Sequence, residues 1–218
     1  MQESSVLLSL TAVFVIALIS PGPDVALVVR TSIHQGRRNG LLSALGLACG
    51  ILLHGILVLT GVSLLLSRSP VLFNLIQVAG AGYLAWLGVG ALRARFKSAG
   101  AAQTGQFTRV LEPSVMGPWL RGFATNILNP KALVFFLALL SSLIPAHMSV
   151  SGKLAAASIL FGVGLLWFSL LSIGLTHRSM QVRLVRMVPT IDILCGGVFL
   201  LVAAAILGRV AVATGVWQ

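Results

Sequence analysis

The 218-residue chain has little charge. Only 9% of its residues are Asp, Glu, Lys or Arg, and four acids stand against fifteen bases. A soluble domain this poor in charge, with 57% hydrophobic residues and mean hydropathy +1.02, would have almost nothing to turn toward water. Cysteine is scarcer still. Cys49 and Cys195 both lie inside apolar runs, without the density of a disulfide framework or the spacing of metal ligands. Both are expected to pack as small apolar side chains. HExxH, GxSxG and Walker A sequences are absent, which removes the usual signatures of zinc hydrolysis, serine hydrolysis and nucleotide-driven pumping. The expectation is therefore no enzyme, no cofactor and no metal. The opening MQESS lacks a basic segment and carries Glu3, so the first apolar run reads as a mature span rather than a cleaved signal peptide.

What is present is a series of apolar runs. A helix crosses the bilayer core in about 20 apolar residues, and six runs qualify: Val6 to Val29, Leu41 to Leu66, Val71 to Leu92, Gly122 to Ile144, Leu154 to Leu175 and Val188 to Leu207. The net charge of +11 would suit nucleic acid if the bases shared one face or tail. Instead they fall at the ends of runs. Arg30, Arg37, Arg38, Arg93, Arg95, Lys97, Arg109, Arg121, Arg178, Arg183 and Arg186 lie in loops of one parity; Arg68, Lys153 and Arg209 lie in the other. The positive-inside rule then predicts a multi-pass inner-membrane protein with both termini periplasmic. The segment 94–115, with its KSAGAAQTGQ, reads as a cytoplasmic linker between residues 1–93 and 116–218, with three spans on either side.

The first and fourth spans are interrupted in the same way. Ile19-Ser-Pro-Gly-Pro-Asp-Val25 breaks one, and Asn126-Ile-Leu-Asn-Pro-Lys-Ala132 breaks the other. Aligning Pro23 with Pro130 sets Asp24 opposite Lys131. Three spans per half is odd, so the halves cross in opposite directions. An all-α membrane fold of two inverted three-helix repeats is expected, with a site where the broken helices meet. Proline lacks an N–H and clashes with the preceding turn, and Gly22 permits backbone angles other residues resist. The freed backbone groups are tolerated only inside protein or along a wet cavity. Such half-helix ends suit a solute bearing both an ammonium and a carboxylate. Pro21, Gly22, Pro23, Asp24, Asn126, Asn129, Pro130 and Lys131 are the candidate substrate-binding or gating residues.

Intramembrane charge narrows this further. Asp24, His54, Lys131 and Asp192 are the ionisable residues away from loops, and such residues mark pathways or proton relays. Counted along the helices, Asp24 lies about 9 Å from Arg30, Lys131 about 15 Å from Arg121 and Asp192 about 9 Å from Arg186. These depths let the three meet in the cytoplasmic half, with Asp24 and Lys131 as an ion pair. Asp24, His54 and Asp192 are candidates for proton coupling. Gly46 and Gly50 form a GxxxG, which lets helices approach closely. Glycine-rich faces of this kind suit packing within one protomer or between copies of a homo-oligomer.

The PGPD stretch, the run from Gly36 through Gly50 (GRRNGLLSALGLACG), GAGYLAWLGVGALR and NPKA together resemble the LysE/RhtB family of bacterial amino-acid exporters, from Leu8 to about Gly208. At Ile51 the chain departs from the many relatives that are polar or acidic there. The resemblance implies a six-helix exporter of amino acids or close derivatives, driven by proton exchange. A different class is a membrane thiol–disulfide electron carrier of the CcdA/DsbD type, which needs two exchangeable thiols beside the breaks. Neither cysteine is next to a proline motif in sequence.

Overall fold

The computed structural model describes residues 2–96, 116–145, 148–174 and 178–213. Most of the expected linker, residues 97–115, lies outside them, as does Trp217. Among the described residues the regular structure is all helical. The elements are α1 (Gln2–Ile19), α2 (Pro23–Gln35), α3 (Arg37–Arg68), α4 (Pro70–Phe96), α5 (Pro118–Ile127), α6 (Pro130–Leu143), α7 (Val150–Gly174) and α8 (Arg178–Ala213).

Four of these helices, α3, α4, α7 and α8, are long and apolar enough to cross a membrane. The other four form two bent pairs. The axes of α1 and α2 meet at 57°, and so do those of α5 and α6. With each pair taken as one span, the number is six. Proline causes both bends. Pro23 and Pro130 occupy the first turns of α2 and α6, where a missing N–H costs nothing but a straight continuation is blocked.

The first span runs further than its apolar pattern suggests. It ends at Gln35, so Arg30 lies in helix and the connection to α3 is Gly36 alone. Gly36 has φ 84°, the one positive φ among the described residues, and this is where glycine's freedom is needed. Gly22 corrects the expectation placed on it. Its φ of −175° and ψ of −175° are extended backbone that any residue adopts.

Glycine also sets the packing. A Cβ at Gly46 would collide with the Trp119 carbonyl, and one at Gly122 with the Ser43 carbonyl, so α3 and α5 touch backbone to backbone. The GxxxG thus serves a contact within one protomer. On the far side, a Cβ at Gly88 would sit 2.8 Å from the Gly196 carbonyl oxygen and one at Gly196 2.9 Å from that of Gly88, which joins α4 to α8. The outer faces stay apolar, with Val71, Leu75, Leu166 and Leu201 each at least 60% exposed, as lipid contact requires. Phe14, Phe136, Phe168 and Phe199 are buried at the centre, around the two bends.

Candidate functional site

The two breaks meet. Asp24, in the first turn of α2, accepts a hydrogen bond from Asn126 Nδ2 on Oδ2 (2.7 Å) and one from Asn129 Nδ2 on Oδ1 (3.1 Å). Asn126 lies in the last turn of α5 and Asn129 precedes α6, so one break holds the carboxylate of the other. Asn129 has a second task. Its Oδ1 accepts the Lys131 backbone N–H at 3.0 Å and caps α6. The reverse link is made by Lys131, whose Nζ donates to Ser20 Oγ (2.8 Å) and to the Pro21 carbonyl (3.3 Å). The same ammonium lies 5.8 Å from the centre of the Phe199 ring.

Asp24 and Lys131 therefore share a site but are not in direct contact. Each is held by neutral groups of the opposite break, with Asn129 between them. This corrects the direct ion pair expected from helix depth. An amide can donate to a carboxylate and still accept from a backbone N–H, and the short loop before Pro130 sets Asn129 where it does both. Gly22 lies beside the ammonium, and space does not demand glycine there: a Cβ would lie 3.6 Å from Lys131 Nζ, in ordinary contact. Pro21 supplies its carbonyl, and Pro23 and Pro130 open the two half-helices.

Around this junction is a cavity of about 60 Å³. Its polar lining is Ser20, Asp24, Asn126, Asn129 and Lys131, and the rest is largely aromatic and aliphatic. A wider recess of about 410 Å³ adjoins it, between the first break, α4 and α8. Trp86, Arg93 and Asp192 line only the recess; Ser20, Gly22, Pro23, Leu87, Lys131 and Phe199 line both spaces. The Lys131 side chain is thus among the groups the two spaces share.

His54 is buried on α3, and its Nε2 lies 3.3 Å from the Asn126 carbonyl oxygen. Its ring stacks on Phe136 at 5.7 Å, and Nδ1 has no partner. It belongs to the shell behind the cavity rather than to its wall. Asp192 is buried on α8, one turn beyond Pro189, a proline inside a helix that the span pattern passed over. Cys195 is closer to the first break than sequence distance suggests, with Sγ donating to the Ile16 carbonyl at 3.2 Å. Both cysteines are free thiols.

Three features were missed by reading the sequence. The aromatic wall was invisible because phenylalanine is common on every face of such a chain. Gly50 was noted only for helix approach, yet a Cβ there would come within 2.7 Å of Asn126 Oδ1, so Gly50 makes room for a site residue. At the end away from the basic loops, Glu3 accepts hydrogen bonds from the Ser149 N–H (2.8 Å) and hydroxyl (2.9 Å). There Arg209 also donates to the Ser142 carbonyl (2.6 Å), and Gln77 to that of Ser141 (3.0 Å).

The family described as LysE type translocator matches residues 15–209, which contain both breaks and every site residue named above. The chain belongs to the LysE family. Its similarity to the threonine efflux protein of Escherichia coli (strain K12) is 26% identity over 192 residues, covering 88% of this chain and 92% of the relative. The leucine efflux protein of Klebsiella pneumoniae subsp. pneumoniae is 33% identical over 141 residues, 65% of this chain and 63% of that protein. The membrane protein YahN of Escherichia coli (strain K12), described as uncharacterized, is 29% identical over 179 residues, 77% of each chain. No solved structure matches. LysE membership and the apolar helices together make this a multi-pass protein of the inner membrane.

Proposed function

We propose that this chain is a secondary transporter that exports amino acids or close derivatives from the bacterial cytoplasm in exchange for protons. One observation carries the reading: at the meeting of two broken spans, Asp24 is held by Asn126 and Asn129, while Lys131 is held by Ser20 and Pro21. The names of the threonine and leucine efflux relatives support an amino acid as the solute. An amino acid carries one charge of each sign, and the junction offers a counterpart to both. Its carboxylate competes for Lys131 Nζ and for the N-terminus of α2, which has no side-chain cap. Its ammonium takes the carboxylate of Asp24.

In this reading the two halves are inverted repeats with both termini periplasmic. The equal 57° bends and the prolines that open α2 and α6 support that symmetry. The recess is the cytoplasmic approach, since Arg93 stands at its rim and bases gather on that side. Substrate arriving there draws Lys131 from Ser20 and Pro21 and opens the inner cavity. Proton exchange at Asp24 then biases the halves toward the opposite-facing state. His54 and Asp192 are the adjoining titratable groups.

The test is counterflow in proteoliposomes with a panel of radiolabelled amino acids, with internal pH recorded. Counterflow is expected, and net efflux of the amino acid into substrate-free buffer should be accompanied by opposite proton movement. Asp24→Asn and Lys131→Ala should each abolish counterflow while the protein still purifies as a folded species. Near-normal exchange by both variants would overturn the assignment.

A further inference from the structure

The polar side chains of the inner cavity are tied by the Asp24–Asn126, Asp24–Asn129 and Lys131–Ser20 hydrogen bonds, and the two sets are joined through Asn129 Oδ1 and the Lys131 backbone N–H. Those groups answer the ammonium and carboxylate that every amino acid shares. The rest of the wall has to meet the side chain. It includes Phe14, Ile51, Phe136 and Phe168, each no more than 2% exposed and without a hydrogen-bonding atom in the side chain. Asn126 Oδ1 is buried without a partner, but it faces Gly50 rather than the cavity. Nothing in the wall therefore meets a hydroxyl, an ammonium or a second carboxylate.

We infer that the site selects neutral amino acids with aliphatic side chains, of the leucine and valine type, and that Ile51 and Phe168 are specificity-determining residues. The inference rests on the export reading and adds the substrate class to it. Three physical arguments carry it. A side-chain charge would be buried without a partner, which apolar surroundings penalise severely. A hydroxyl is penalised less: an apolar pocket rejects an isostere that only adds one by roughly 100-fold. Size disfavours aromatic side chains. The inner cavity of about 60 Å³ is walled by Phe14, Phe136 and Phe168, and it has less room for the seven-carbon side chain of phenylalanine than for the four-carbon one of leucine. Movement of Lys131 adds space on the recess side, next to the head-group end, and leaves the apolar end unchanged.

Valine and threonine have nearly the same shape and differ by one hydroxyl, so they make the sharpest comparison. Liposomes containing the purified protein are preloaded with each amino acid in turn, and uptake of radiolabelled leucine is competed from outside. Valine is expected to compete, with threonine needing about 10–100 times the concentration. Lysine, glutamate and phenylalanine should fail to compete. Ile51→Thr adds a hydroxyl to the wall at nearly constant volume and should narrow the valine-to-threonine ratio about tenfold. Phe168→Ala should admit phenylalanine. Thermal stabilisation of the detergent-solubilised wild type by leucine, against threonine, reads the same preference without any variant.

Competition by threonine or lysine at the concentration effective for valine would overturn the inference. So would an unchanged ratio in an Ile51→Thr protein that still exchanges leucine. Exchange of amino acids of another class would leave export standing and remove only this proposal. No exchange of any amino acid would remove both.

Discussion

Asn129 uses both ends of its amide, and the two uses are separable by substitution. Its Oδ1 caps α6 and its Nδ2 holds Asp24. Asn129→Ala loses both, with about 1 kcal/mol expected for the cap and about 1.5–3 kcal/mol for the bond to a carboxylate. Asn129→Asp keeps a good cap but sets a second carboxylate against Asp24. The facing carboxylates repel by more than the cap contributes, so it should unfold earlier than Asn129→Ala on heating in detergent at neutral pH and be equally poor in counterflow. Equal activity of Asn129→Asp and wild type would show that the link across the breaks is dispensable. These roles were only partly legible in the chain. The prolines and the charge after each were visible because they are neighbours in sequence. That Asp24 and Lys131 would be held by asparagine, serine and a carbonyl instead of each other depends on how the breaks cross, and no local pattern records that.

Elements are held in place here by small residues more than by large ones. The α3–α5 contact passes through Gly46, Gly50 and Gly122, and Gly50 alone faces the side chain of Asn126. Without a hydrophobic drive between helices in lipid, close backbone approach is what such a contact offers. Gly50→Ala should push Asn126 away from Asp24, cost about 1–3 kcal/mol through overpacking and reduce counterflow at least tenfold. Gly61 on the same helix has open space around it. Gly61→Ala should be neutral or stabilise by up to about 1 kcal/mol, since alanine is the better helix former. Thermal unfolding and counterflow on the pair separate a steric role from a general dislike of larger residues in α3. The GxxxG was visible in the sequence, but its partner helix was not, because many small residues in this chain have the same local look. Gly22 shows the opposite error. Its presence at a break suggested unusual backbone angles, whereas the kink comes from proline and the glycine is extended.

At the scale of the whole molecule, the two ends differ. The recess by Arg93 adjoins the candidate site on the basic side, while Glu3–Ser149, Arg209–Ser142 and Gln77–Ser141 tie helices together on the other. Glu3 and Ser149 are 146 positions apart, Arg209 and Ser142 67, and both contacts are exposed. The first joins α1 to the start of α7 and crosses between the two halves of the chain, whereas the second joins α8 to the end of α6 within the second half. A transporter whose halves rock must break the Glu3–Ser149 contact in one state and keep it in the other, which makes it a bias on the equilibrium. Exposure limits its worth to about 0.5–1 kcal/mol, or roughly a two- to fivefold shift in population when it is lost. Glu3→Ala should raise the labelling rate of a cysteine placed at Ser142, in a Cys49→Ala/Cys195→Ala background, by about that factor. An impermeant maleimide added from the Glu3 side makes the measurement. Labelling that stays at the parent rate in Glu3→Ala would mean that this end is closed by the apolar packing beneath it and not by this contact.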